Sequence, residues 1–196
     1  MSDRTDTSSR SIQVVLYGRA NKRGALAVAR RVGKILGLSV RPDVLELPIP
    51  IEARKPRGWN GHDAQFLLQQ MVLLSTHMGD VIALAFTDEN IVPREDFNFI
   101  FGWGWHRAAV VSFNRMGTGP RQASRAAKIT LHELGHAIGI KITDGTSRDG
   151  HHHTYESGVE CIMVGDMEKD SVDTIDATPL AFCASCAAQA ARLTAR

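Results

Sequence analysis

Leu131-His132-Glu133-Leu134-Gly135-His136-Ala137-Ile138-Gly139 decides how the rest of the chain is read. His132 and His136 are four apart, so on a helix both rings leave one face, one turn apart. That spacing suits two imidazole ligands on one Zn²⁺. Glu133 lies beside them, placed to take a proton from a water held there. Leu131, Leu134, Ala137 and Ile138 can seat the same helix in a core. The run from Gln122 to Lys128 holds mostly good helix formers, which extends the helix upstream. Gly139 can leave the helix through a positive φ and turn the chain back toward the metal.

Outward from this stretch, the first half of the chain reads as alternating strands and helices. Residues 12–17 form an apolar strand closed by Gly18. Asn21 caps a helix with Leu26, Ala29, Val32 and Leu36 on its apolar face, and Gly37 ends it. Residues 44–47 are a second strand, followed by a Pro- and Gly-marked loop to Gly61. Asp63 caps a second helix carrying Phe66, Leu67, Gln70, Met71 and Leu74. Residues 81–86 are apolar throughout and read as a central strand. This order implies an α/β fold with a twisted, mostly parallel sheet covered by helices.

Residues 97–101 read as a short strand ended by Gly102 and Gly104, and residues 108–113 as another. The stretch 97–101 is expected at a sheet edge above the metal, where an extended peptide could pair with it. Trp103 and Trp105 read as core or rim packing. Thr178, with Pro179 in the first turn, is expected to cap the last helix.

At 196 residues and 43% hydrophobic, the chain supports one sizeable core. One domain over residues 12–196 is expected, after a polar, disordered tail at 1–11. A net charge of +2 gives no argument for a nucleic-acid partner. Arg19, Lys22, Arg23, Arg30, Arg31 and Lys34 read as a solvated helix face. No apolar run reaches membrane-spanning length, and the first residues lack a secretory h-region. A cytoplasmic monomer without membrane contact is expected. Three cysteines, two of them as Cys183-x-x-Cys186, then favour metal binding over a disulfide.

His132-Glu133-x-x-His136-x-x-Gly139, Cys161-x-Met163 and Cys183-x-x-Cys186 together resemble the archaemetzincins, a branch of the metzincin zinc peptidases. Phe86-Thr87-Asp88-Glu89 and the later run from Phe97 to Gly102 are similar to a further segment of that family. The resemblance implies a metzincin-like fold: a mostly parallel sheet with an antiparallel edge strand, an active-site helix and a C-terminal helix. It implies a catalytic zinc under the edge strand, a methionine turn at Met163, and a second, structural zinc held by cysteines. It also implies hydrolysis of peptide bonds in a peptide or protein substrate, with Glu133 as general base. Tyr155 could donate to the oxyanion.

Two positions depart from the family pattern. The slot of the third histidine is Ile142, which cannot bind zinc, and the following cysteine slot is Thr143. Either an insertion has moved the ligand pair to His151-His152-His153, or the catalytic site has lost its third ligand. The family leaves four residues before its next cysteine. His153 leaves seven before Cys161, and His152 leaves eight. The nearest match gives His132, His136 and His152 to the catalytic zinc. It gives His153, Cys161, Cys183 and Cys186 to the structural one. His151 with His152 is the alternative pair, a solvated histidine loop is another reading, and Glu156 or Glu160 could serve as third ligand in a gluzincin arrangement. Two functions follow: a zinc metallopeptidase, or a zinc-stabilised binding module whose peptidase site is latent or degenerate.

Overall fold

The computed structural model describes residues 10–54, 61–93, 99–143, 145–147, 149–165 and 171–195. Five strands form one sheet in the order β2-β1-β4-β7-β6. These are β1 (Ser11–Tyr17), β2 (Ser39–Leu47), β4 (Val81–Thr87), β6 (Gly102–Trp105) and β7 (Ala108–Ser112). β2, β1, β4 and β7 run parallel, and β6 is the antiparallel edge strand. Two short strands, β3 (His62–Asp63) and β5 (Ile91–Val92), pair separately. The fold class is thus the one the sequence implied.

Every residue of β4 is buried, as befits a strand covered on both faces. Alternation divides the core in two. Val14, Leu16, Leu84, Phe86 and Val111 meet α1 (Lys22–Leu36) and α3 (Gly119–Ile138). Val15, Ala83, Ala85 and Val110 meet α2 (Ala64–His77) on the opposite face. The caps of α1 and α2 are those read from sequence. Asn21 Oδ1 accepts from Gly24 N at 3.0 Å and Asp63 Oδ1 from Phe66 N at 3.1 Å, and Gly37 ends α1 at φ 69°.

Three expectations need correction. The edge strand is Gly102-Trp103-Gly104-Trp105; Phe101 is a bend, Ile100 makes only an isolated bridge to Ile91, and 97 and 98 lie outside the described residues. Gly102 and Gly104 do not end the strand. They are the strand, because a Cβ at either would run into α3 at Glu133. The last helix, α5, is Ala184–Thr194 with Cys183 at its N-cap, so Thr178 does not cap it. Thr178 instead ends a short helix, α4 (Val172–Ala177), because Pro179 pushes the residue before it into extended backbone. The amino-terminal boundary also moves: Ser11 belongs to β1, and Arg10 Nη1 donates to Leu193 O at 2.7 Å. Residues 1–9, the rest of the expected tail, lie outside the described residues.

α4 carries no long apolar face of its own and is held by buried cations of α3. Arg125 binds Asp176 through Nε at 2.8 Å and Nη2 at 2.6 Å, a bidentate fork. Lys128 Nζ donates to the carbonyls of Ile175 and Asp176 at 2.9 and 2.7 Å, meeting the negative end of α4. Among the described residues no helix is long and apolar enough to cross a membrane.

Candidate metal centre

The site is built on the C-terminal half of α3, where residues 125–135 are all buried. The hairpin of β6 and β7 holds this half in place from above. Its two-residue turn takes positive φ at His106 and Arg107, the twist that tight hairpins need. Arg107 then fastens three elements. Its amide donates to Ala137 O at 2.8 Å, and its guanidinium reaches the carbonyls of Ser75, at 3.0 Å, and Gly79 at the end of α2.

α3 stops at Gly139, with φ 88°. The chain turns back, and Ile142 is buried in the core with its amide on Gly150 O at 2.9 Å. The following loop brings His151, His152 and His153 across α3. His153 N donates to Met163 O at 2.8 Å and Gly165 N to His153 O at 2.9 Å, so this loop runs beside the Met163 segment.

His132, His136 and His152 converge, with one possible ligand atom from each within 4.8 Å of the others. His132 Nε2 and His136 Nε2 are 3.1 Å apart. Two nitrogens at zinc's usual bond length and a tetrahedral angle would stand about 3.3 Å apart, so the donors fit that ion. The Nδ1 of His132 is held by Ile162 O at 2.8 Å, which turns its Nε2 toward His136. The ring of His152 lies 5.4 Å from that of His132 and 4.8 Å from that of His136. His151 is exposed and stays outside the triad, although it lines the rim.

A cleft of about 250 Å³ opens over the triad, lined by Trp103, Gly104, Trp105, Glu133, His136, His151 and His152. Glu133 is buried, with its Cγ and Oε1 under Gly102. Trp105 is exposed at the rim, and Trp103 is half-buried. Tyr155 is not among the lining residues; its ring rests against Gly165. On the other side of α3, Met163 is fully buried beneath Gly135, where an added Cβ would strike the sulfur.

A second group lies below: His153, Cys161, Cys183 and Cys186, again within 4.8 Å. His153 Nε2 is 3.5 Å from Cys183 Sγ and 3.4 Å from Cys186 Sγ. The sulfur of Cys161 accepts from the amides of Cys183 at 3.2 Å and Met163 at 3.4 Å. A hydrogen bond from Cys186, helped by those amides, pulls the Cys161 thiol down toward thiolate. Three sulfurs and one imidazole, mostly buried and with no disulfide among them, are the donor set of a closed tetrahedral zinc site.

One site residue was missed from sequence. Asp149 contacts the amides and ring of the histidine loop. Burial raises its carboxyl, but hydrogen bonds from the His152 ring, the His151 and His152 amides and Ser147 outweigh that and hold it well below the usual carboxylate range. Its sequence signal was an Asp three residues before His152 with Gly150 between, a compact Asx-type turn.

No family model matches the sequence, and no curated protein sequence does. Solved structures do match. The archaemetzincin crystal structure from Methanopyrus kandleri is 22% identical over 96% of this chain and 98% of that one, with a TM-score of 0.71. Archaemetzincin from Archaeoglobus fulgidus, complexed with malonate, is 21% identical over 91% of this chain and 99% of that one, with a TM-score of 0.68. A zinc-dependent peptidase from Methanocorpusculum labreanum is 19% identical over 92% of this chain and 100% of that one, with a TM-score of 0.67. The chain has the fold of the archaemetzincins.

Proposed function

We propose that this protein is a zinc-dependent metallopeptidase of the archaemetzincin type, acting on peptides or small proteins. The observation that carries the reading is the convergence of His132, His136 and His152, with Glu133 lining the same cleft as His136 and His152 beside the edge strand. His132, His136 and His152 would hold the catalytic zinc. His153, Cys161, Cys183 and Cys186 would hold a structural one. When bound, the catalytic zinc supplies Lewis acidity, which acidifies a water and polarises the scissile carbonyl.

The chain's own residues supply the rest. Glu133 receives a proton at its carboxylate and returns it to the leaving amine. Among the described residues β6 pairs with β7 on one side only, so its outer edge is placed to align an extended substrate beside Glu133. Met163 gives the triad an apolar floor and is not a ligand. Trp105 shields the rim.

The test is digestion of an unbiased peptide library by the zinc-loaded protein. Cleavage that vanishes when a chelator strips the zinc, and that vanishes in Glu133→Gln while that variant keeps the wild-type zinc content, supports the reading. Full activity in Glu133→Gln overturns the role of that residue. An intact library, with zinc retained, favours the binding module, whose one supporting feature is Ile142 in the usual ligand slot.

A further inference from the structure

We infer that Asp149 is a positioning residue for the third ligand, fixing the tautomer and ring direction of His152. The inference rests on reading His132, His136 and His152 as a zinc site. Asp149 Oδ2 lies 2.7 Å from His152 Nδ1. Its Oδ1 accepts from the amide of His151 at 2.7 Å, the amide of His152 at 2.9 Å and Ser147 Oγ at 3.0 Å. One carboxylate therefore holds both the ring and the backbone from which the ring projects.

The chemistry follows from what a carboxylate can do. An ionised carboxylate only accepts, so the proton of a neutral His152 ring sits on Nδ1. The lone pair is then on Nε2, and Nε2 is the ligand atom. His132 and His136 need less help, because α3 aims both rings and Ile162 O fixes the first. His152 stands on a loop, where an unheld ring would sample several rotamers before meeting a metal. Asp149 removes that freedom.

The neighbouring ligand is held in a similar way. Thr146 Oγ1 bonds to His153 Nδ1, which leaves Nε2 facing Cys183 and Cys186. Both orienting groups and both histidines come from the same stretch between Ile142 and Thr154. This stretch brings its own supports in place of the slots at 142 and 143 that cannot ligate.

The test compares Asp149→Asn and Asp149→Ala with wild type by chelator competition on the zinc-loaded protein, with the Cys₃His zinc as the internal reference. Nitrogen-15 NMR of labelled histidines reads the tautomer of His152. Asn has one acceptor oxygen where the carboxylate uses two, so either the ring or the backbone loses its partner. The expected result is triad zinc held roughly 10–100-fold more weakly in Asp149→Asn, with the Cys₃His zinc retained and the Nδ1-protonated pattern of His152 lost. Triad zinc as tight in both Asp149 variants as in wild type overturns the inference. Equal loss of both zincs also overturns it, since Asp149 would then merely fold the loop. If His132→Ala leaves the zinc content of the wild type unchanged, the triad itself fails and takes this inference with it.

Discussion

Gly104 and Glu133 touch backbone to backbone: a Cβ built on Gly104 would overlap the carbonyl oxygen of Glu133. No side chain can swing away to relieve that clash. Gly104→Ala must therefore push β6 off α3 and is expected to cost more than about 3 kcal/mol, beyond ordinary overpacking. Gly139→Ala is the contrast, since its Cβ meets nothing within 4 Å and only its φ of 88° is strained. That variant should lose about 1–2 kcal/mol. Urea denaturation midpoints compare the two. Equal losses would show that the contact with Glu133 is not the cause.

Native mass spectrometry should show two zincs per chain for the wild type and one for Cys183→Ser. The triad lies outside the sulfur group, so the remaining ion should still depend on His132. A wild-type count that does not change in Cys183→Ser would remove the second site.

Peptides methylated at backbone nitrogens beside the scissile bond should be cleaved poorly. Pairing with the outer edge of β6 needs those N–H groups. Cleavage kinetics of matched methylated and unmethylated peptides provide the measurement, and identical rates would exclude strand addition.

Burial pushes the Tyr17 phenol up to about 12. The folded chain keeps its proton where the unfolded chain gives it up, so this residue opposes folding only in alkali. Its effect is absent below the unfolded pKa of about 10 and grows as pH rises toward 12. Denaturation midpoints across that window should fall for the wild type and fall less for Tyr17→Phe. Parallel slopes would show that Tyr17 plays no part.

The features legible in the sequence were those whose cause is local. Asn21, Asp63, Gly37 and Gly139 act within one helical turn, and each does what its chemistry suggested. The pairing of His132 with His136 was likewise fixed by helical spacing. The edge strand was displaced because Gly102 and Gly104 look like breakers along the chain, whereas their reason is a helix that arrives 30 residues later. α4 was hidden for the same reason, since Arg125 and Lys128, which hold it, lie about 50 residues upstream. Counting from Cys161 placed His152 with one group and His153 with the other, and the structure brings them to those groups. Counting could not reach Asp149, which acts through the fold of a single loop.

His152 and His153 are consecutive, yet one joins His132 and His136 and the other joins the three cysteines. Such a joint has no slack. A residue added between them would part the pair. Length variation in this region is thereby confined to either side of the pair, as in the seven residues between His153 and Cys161, while the planar peptide unit joining the two Cα atoms acts as a fixed spacer.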